Sequence, residues 1–201
     1  MIEAKVRKRL GNFQLDSEYK DSGFSLLSGP NGSGKTTFLS IIAGTLSPDE
    51  GFVKVGSVET TNLPIDKRKT VFVASGSYIP HLEVEKHLRW GAMVRKTRLE
   101  DSRVREVAES LGIHASGRVS ELSLGTKGRV ALATALLASP EVILVDEVFS
   151  GLDGRAGVLS AYVDLTKRAR IDVIATSQDD AGFESVDHRY VISRGKTARV
   201  S

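Results

Sequence analysis

The residues best suited to chemistry form a glycine-rich run that ends in a lysine and two threonines: Gly29-Pro30-Asn31-Gly32-Ser33-Gly34-Lys35-Thr36-Thr37. Its first eight residues fit the pattern G-x-x-x-x-G-K-[ST]. The glycines let successive backbone N–H groups face one anion, at the positive end of a helix dipole. Lys35 is then placed to reach the β- and γ-phosphates of a nucleotide. The Thr36 hydroxyl suits Mg²⁺, which prefers hard oxygen ligands.

Two adjacent acids follow an apolar run later in the chain. Asp146 and Glu147 come directly after residues 142–145, which do not alternate with polar residues and therefore suit a parallel strand covered on both faces. Ligands of open α/β sheets bind at the carboxyl ends of such strands. We expect Asp146 to hold Mg²⁺, directly or through water, and Glu147 to polarise a water molecule that attacks the γ-phosphate. Alone, the pair would equally suit a solvated acidic turn.

The elements around these residues alternate between strands and helices. Helices are predicted over 35–43, 124–138 and 155–169, from apolar residues at helical spacing and from the Gly and Pro residues that end them. A helical insert is predicted within 80–121. Strands are predicted near both chain ends and over 23–28, 52–58, 71–74, 142–145 and 173–176, and the runs 71–74 and 173–176 are expected to be buried. This alternation predicts an α/β sheet.

The composition limits the class of protein. The 201 residues are 40% hydrophobic and 26% charged, which indicates one globular domain with a core. The net charge of +3 is too small to favour nucleic acid as a partner, and we predict none. The absence of cysteine excludes disulfides, thiolate metal sites and cysteine nucleophiles. No apolar run approaches the roughly 20 residues that cross a bilayer, so action at a membrane would require docking onto another chain.

Two further motifs complete a recognisable order. Leu122-Ser123-Leu124-Gly125-Thr126 lies upstream of Asp146, and Ser150-Gly151-Leu152-Asp153 lies downstream of it. Together with the glycine-rich run and the acid pair, this order resembles the nucleotide-binding subunit of an ABC (ATP-binding cassette) transporter, over nearly the whole chain. The resemblance implies a single ABC domain over 1–201. It would have a P-loop NTPase (RecA-like) core, an antiparallel β portion and an inserted helical subdomain at about 77–130.

The resemblance also implies ligands and partners. ATP and Mg²⁺ would bind at the interface of a head-to-tail homodimer, or of a pseudo-dimer with a similar chain. Ser123 and Gly125 would face the γ-phosphate held by the second copy, and Asp153 would contact that copy near its phosphate loop. Membrane-spanning permease subunits would hold the chain on the cytoplasmic face of the cell membrane. Segments 8–13, 63–68 and 80–82 resemble importers of the molybdate/tungstate type, which suggests oxyanion import.

The sequence departs from this family at two positions expected to bind ligands. Ser75 stands where a glutamine contacts Mg²⁺ and the attacking water, so it would need a bridging water. Ser177, or Gln178 after a shift of one residue, replaces a histidine that holds the γ-phosphate. Neither carries a positive charge, and losing one such contact typically costs roughly a hundredfold or more in rate. ATP binding is expected to survive these changes better than hydrolysis.

Other positions leave alternatives open. Leu10 occupies the position where the family has an aromatic residue that stacks on adenine, and Phe13 would either substitute for that residue or belong to the core. Trp90 would either line the groove for the membrane subunit or pack within the helical subdomain. The four histidines lack metal-ligand spacing and are predicted at the surface or in turns. The leading hypothesis is an ATPase subunit that powers transport. The alternatives are an ATP-dependent dimerising switch with weak hydrolysis and a soluble ABC ATPase of cofactor assembly.

Overall fold

The computed structural model describes residues 1–200, which fold into two β-sheets and five α-helices. In chain order the elements are β1 (Ile2–Leu10), β2 (Phe13–Asp21), β3 (Phe24–Ser28), α1 (Lys35–Ala43), β4 (Glu50–Val55), β5 (Val58–Glu59), β6 (Thr70–Ala74), α2 (Val84–Arg95), α3 (Asp101–Ser110), α4 (Leu124–Leu137), β7 (Val142–Asp146), α5 (Arg155–Ala169), β8 (Asp172–Ser177), β9 (His188–Ser193) and β10 (Lys196–Arg199). None of the helices in this part of the chain combines the length and apolarity that crossing a bilayer requires.

The larger sheet carries the predicted phosphate-binding residues. Its strand order is β10-β9-β3-β8-β7-β6, and all neighbours are parallel except the terminal hairpin β9–β10. Strands β3, β7 and β8 are buried along nearly their whole length, as their unbroken apolar runs predict. Because β3, β6, β7 and β8 are parallel, their carboxyl ends lie at the same edge of the sheet. The last residues of these strands are Ser28, Ala74, Asp146 and Ser177.

The smaller sheet is antiparallel, with the order β2-β1-β4-β5. Its strands alternate, so that Ile2, Ala4 and Val6 on β1 are buried and the intervening side chains are not. These apolar residues and the buried face of α1 form one cluster, which also includes Val142 and Leu144 of β7. Helix α1 is therefore packed between the two sheets, and its N-terminus is held at the edge where Asp146 lies.

Helices α2, α3 and α4 form the insert between β6 and β7. The prediction for one of its histidines is wrong: His87 is 2% exposed, because it lies on the face of α2 that packs against α4. Its Nε2 accepts a hydrogen bond from the backbone N–H of Ile79 at 3.0 Å, and its Nδ1 lies 2.9 Å from Thr134 Oγ1. His87 thus links the two helices to the segment that follows β6. Trp90 is 40% exposed and lines a groove of about 320 Å³ between the insert and β6.

Two strand predictions also need correction. The strand predicted over 52–58 is divided into β4 and β5 by a turn at Gly56 and Ser57. The run 71–74 forms β6 as predicted, but only Val73 is buried, because β6 is the last strand of its sheet and lacks a neighbour on one side.

Candidate functional site

The loop between β3 and α1 places its backbone close to neighbouring elements. Gly29 donates its N–H to the Ser177 carbonyl at 3.2 Å, and a Cβ added at Gly29 would lie 2.2 Å from the Ile192 carbonyl oxygen. Gly34 has φ +109°, and a Cβ there would lie 2.8 Å from the Phe13 ring. Both positions therefore require glycine. The loop leads directly into α1, whose first-turn N–H groups have no helical acceptor and can bind an anion.

The Lys35 ammonium group is buried at the base of this loop. The residue is 4% exposed, and its Nζ donates to the carbonyls of Gly29 at 2.7 Å and Pro30 at 3.1 Å. Nζ also lies 3.1 Å from Oε1 of Glu147. A lysine ammonium has three donors, and three oxygens surround this one. The side chain is thereby held beside the loop that would receive the phosphates.

The Asp146 carboxylate receives one hydrogen bond on each oxygen. The Thr36 hydroxyl donates to Oδ2 at 2.8 Å, and the Thr176 hydroxyl lies 2.7 Å from Oδ1. The contact with Thr36 joins the first turn of α1 to the end of β7. A threonine hydroxyl and a carboxylate oxygen so close together are the kind of hard donor pair that Mg²⁺ accepts.

Glu147 has an unusual backbone conformation. Its φ is +56°, in the left-handed region, which costs a non-glycine residue roughly 1–2 kcal/mol. Its backbone N–H donates to Thr176 Oγ1 at 3.0 Å, and its carboxylate is directed to Lys35. Such strain persists only where surrounding contacts hold it, and it is typical of functional sites.

These groups line a cleft of about 520 Å³ at the carboxyl edge of the larger sheet. Its lining residues are Leu10, Phe13, Asn31, Gly32, Gly34, Lys35, Thr36, Thr37, Ala74, Ser75, Asp146 and Glu147. Leu10 and Phe13, the two alternatives for an adenine contact, both lie on this lining. Ser75 is exposed at its edge. Ser33 lies deeper in the loop; in residues 1–200 its hydroxyl is the buried side-chain oxygen that lacks a protein hydrogen-bond partner.

Other predicted site residues lie outside the cleft. Ser177 is buried, and its hydroxyl is 3.4 Å from that of Ser150, whereas Gln178 is exposed. Ser123 caps α4 by accepting the Thr126 N–H at 3.1 Å. A Cβ added at Gly125 would lie 3.7 Å from the Asp153 carboxylate, so these two residues adjoin each other. Ser123, Gly125 and Asp153 thus belong to a second surface, separate from the phosphate loop of the same chain.

Thr176 is the site residue that sequence reasoning missed. It contacts both acids, and it is opposite Asp146 in the register between β7 and β8. The available signal was a hydroxyl residue at the end of a buried apolar run, next to the position where the histidine replacement was sought.

The ABC transporter family model matches residues 14–150, which is more than half of the chain. The chain belongs to the ABC transporter family. It is 38% identical over 172 residues to the molybdate/tungstate import ATP-binding protein WtpC of Archaeoglobus fulgidus, covering 83% of this chain and 72% of that protein. It is 33% identical over 218 residues to the molybdenum import ATP-binding protein ModC of Rhizobium meliloti, covering 99% of this chain but 61% of the relative.

Solved structures show the same fold. A putative ABC transporter ATP-binding protein from Pyrococcus furiosus superimposes with a TM-score of 0.82 at 23% identity, covering 95% of this chain and 96% of that one. The predicted family and the predicted α/β P-loop fold of ABC type, with its antiparallel β portion, are therefore confirmed. The roles of the individual site residues stay predictions.

Proposed function

We propose that this chain is the ATP-binding and ATP-hydrolysing subunit of an ABC importer, which powers the movement of an oxyanion of the molybdate or tungstate type through separate membrane subunits. Two relatives with import functions in their names support the substrate class. The observation that carries the enzymatic part is the convergence of Lys35, Thr36, Asp146 and Glu147 on one cleft, through contacts of 2.8 and 3.1 Å.

The phosphate loop supplies the binding energy for the nucleotide. Backbone N–H groups from the loop and from the first turn of α1 would face the phosphates, and Lys35 would exchange its carbonyl contacts for β- and γ-phosphate oxygens. Leu10 and Phe13 provide the apolar part of the cleft, where the adenine would lie.

Thr36 and Asp146 are the residues that would hold Mg²⁺. Their oxygens lie 2.8 Å apart, and a site with one hydroxyl and one carboxylate leaves room for the waters and phosphate oxygens that Mg²⁺ normally keeps. Ser75, at the edge of the cleft, would act through a bridging water. When bound, the ion neutralises charge on the β- and γ-phosphate oxygens.

Glu147 is the residue proposed to orient and polarise the attacking water. Its left-handed backbone turns the carboxylate away from the path of β7 and toward the phosphate loop, within 3.1 Å of Lys35 Nζ. A carboxylate in this place can accept a proton from water as the γ-phosphate is transferred.

The remaining predicted residues form surfaces for other chains. Ser123, Gly125 and Asp153 lie together outside the cleft, as expected if they complete the nucleotide site of a second copy. The groove beside Trp90 and Val94 is apolar and open, and it suits a helix of a permease subunit. This arrangement would keep the chain in the cytoplasm, on the inner face of the cell membrane.

Replacing Glu147 with Gln tests the proposed activity. The amide keeps the size of the side chain but cannot accept the proton, so we expect ATP binding to persist and phosphate release to fall by about 10²–10⁴-fold. Glu109→Gln, on the exposed side of α3, is the matched control and should leave both unchanged. Normal phosphate release by the Glu147 variant would remove this residue from its role.

A second candidate function is an ATP-dependent dimerising switch with weak hydrolysis. The observation that favours it is the placement of Ser177 and Gln178, neither of which reaches the cleft to replace the family's histidine. Size measurement with ATP and Mg²⁺, alongside a phosphate-release assay, separates the two functions. A stable ATP-bound dimer that releases almost no phosphate would support the switch.

A further inference from the structure

Thr176 occupies the position between the two acids of the candidate site. It is fully buried at the end of β8, and β7 places Asp146 directly beside it. Its Oγ1 lies 2.7 Å from Asp146 Oδ1, 3.0 Å from the backbone nitrogen of Glu147 and 3.5 Å from the Val145 carbonyl. A single hydroxyl therefore contacts the predicted Mg²⁺ ligand and the predicted base at once.

The direction of these hydrogen bonds follows from donor counting. A threonine hydroxyl has one proton to donate and can accept hydrogen bonds. The Glu147 N–H can only donate, so Oγ1 accepts from it. The Asp146 carboxylate can only accept, so the hydroxyl proton goes to Oδ1, which is much closer than the Val145 carbonyl. Both contacts are satisfied only by a hydroxyl at this position.

We propose that Thr176 is a positioning residue for ATP hydrolysis, acting through Asp146 and Glu147. Its bond to Oδ1 fixes the rotation of the Asp146 carboxylate, which leaves Oδ2 directed at Thr36. Its bond from the Glu147 N–H holds the strained backbone that carries the base toward Lys35. The inference rests on the proposed function, because it assigns these two acids to Mg²⁺ and water.

A valine at position 176 would keep the size of the side chain and remove both bonds. The Glu147 N–H would then lose its acceptor, and the left-handed conformation would lose the contact that holds it. We expect residue 147 to relax and the Asp146 carboxylate to rotate more freely. Removing a residue that orients a metal ligand typically costs about 10–100-fold in metal affinity or activity.

The test compares Thr176→Val and Thr176→Ser with a control, Thr166→Val. Thr166 is a buried threonine on α5 whose hydroxyl bonds only to the carbonyls of Tyr162 and Val163, away from the cleft. For Thr176→Val we expect kcat to fall and the half-saturating Mg²⁺ concentration to rise, each by about 10–100-fold. Thr176→Ser should restore both values to within a few-fold. Thr166→Val should lower the melting temperature without changing either.

A measurement without nucleotide or Mg²⁺ tests the backbone part directly. Amide hydrogen exchange of a peptide covering Glu147 should be faster in Thr176→Val than in the wild-type chain and unchanged in Thr166→Val. Unchanged exchange, or a normal kcat and Mg²⁺ requirement in Thr176→Val, would overturn the inference. An equal loss of kcat in Thr166→Val would show that the effect is general destabilisation, and this result would also overturn the inference.

Failure of the proposed function gives a different result. A wild-type chain that binds ATP with Mg²⁺ but releases no phosphate contradicts hydrolysis. The Thr176 inference is then decided by the Mg²⁺ requirement for ATP binding and by amide exchange. A wild-type chain that binds no nucleotide overturns both proposals.

Discussion

Replacing Arg68 with Met is expected to destabilise the protein strongly, although Arg68 lies outside the cleft. The residue is 4% exposed, and its guanidinium donates to four backbone carbonyls: Leu63 at 2.9 Å, Thr61 at 2.6 Å, Ile41 at 3.1 Å and Ile42 at 3.4 Å. Burial lowers its pKa, but an arginine remains protonated at neutral pH. The charge lies at the C-terminal, negative end of α1, where a cation is stabilising.

The expected size of the effect follows from these acceptors. Methionine would keep the apolar stem but remove every donor. The carbonyls of Thr61 and Leu63 would lose their closest donor, at about 1–3 kcal/mol each, which gives about 2–6 kcal/mol. The Ile41 carbonyl also accepts a hydrogen bond from the Gly44 N–H, so removing Arg68 costs less at this carbonyl. Burying methionine is cheaper than burying a guanidinium, so we expect a net loss of about 2–4 kcal/mol.

Denaturant and thermal unfolding monitored by circular dichroism would measure this loss. At about 2–4 °C per kcal/mol for a domain of this size, the melting temperature should fall by roughly 4–16 °C. Lys67→Met, at the exposed neighbouring position, should change stability by less than about 0.5 kcal/mol. If the melting temperature of the Arg68 variant lies within 2 °C of the wild-type value, the loss of stability is about 1 kcal/mol or less, and the reasoning is refuted.

Two further predictions concern burial and close backbone contact. Because burial lowers the pKa of His87, the unfolded chain binds more protons than the folded chain below about pH 6.5. Stability therefore falls as the pH is lowered, by up to about 1.4 kcal/mol per pH unit. His87→Gln should reduce that slope in denaturant unfolding between about pH 6.5 and 5.5, and an unchanged slope would contradict the prediction. Gly29→Ala should weaken ATP binding by about tenfold or more while preserving the far-ultraviolet circular dichroism, because its Cβ meets the Ile192 carbonyl at 2.2 Å. Gly157→Ala, which has open space, should bind ATP normally, and equal affinity of both variants would argue against a required glycine at position 29.

The local parts of the site were predictable from sequence. The phosphate loop and α1 are formed by consecutive residues, from Gly29 to Gly44, which ends the helix. The local sequence pattern of these residues therefore predicts the geometry of the loop and the helix. The position of the acid pair Asp146 and Glu147 at the carboxyl end of β7 was also predictable from consecutive residues. An apolar run without alternation indicates a covered parallel strand, and its carboxyl end is where a ligand binds.

The parts that depend on pairing between distant segments were not predictable. Thr176 contacts Asp146 because β8 lies beside β7 in one particular register, which neither segment specifies alone. The incomplete burial of β6 follows from its place at the end of the strand order. His87 is an intermediate case, since it is three residues after buried Val84 and one before buried Leu88, on the same predicted helix face.

The central claim is that the loop beginning at Gly29, with Lys35, binds the phosphates of a nucleotide. The most direct test is the dissociation constant for ATP with Mg²⁺, measured by titration calorimetry for wild type, Lys35→Ala and the exposed control Lys5→Ala. Loss of one charge-assisted contact of about 1.5–3 kcal/mol predicts at least about tenfold weaker binding for Lys35→Ala and no change for Lys5→Ala. Equal affinity in all three proteins would contradict the claim.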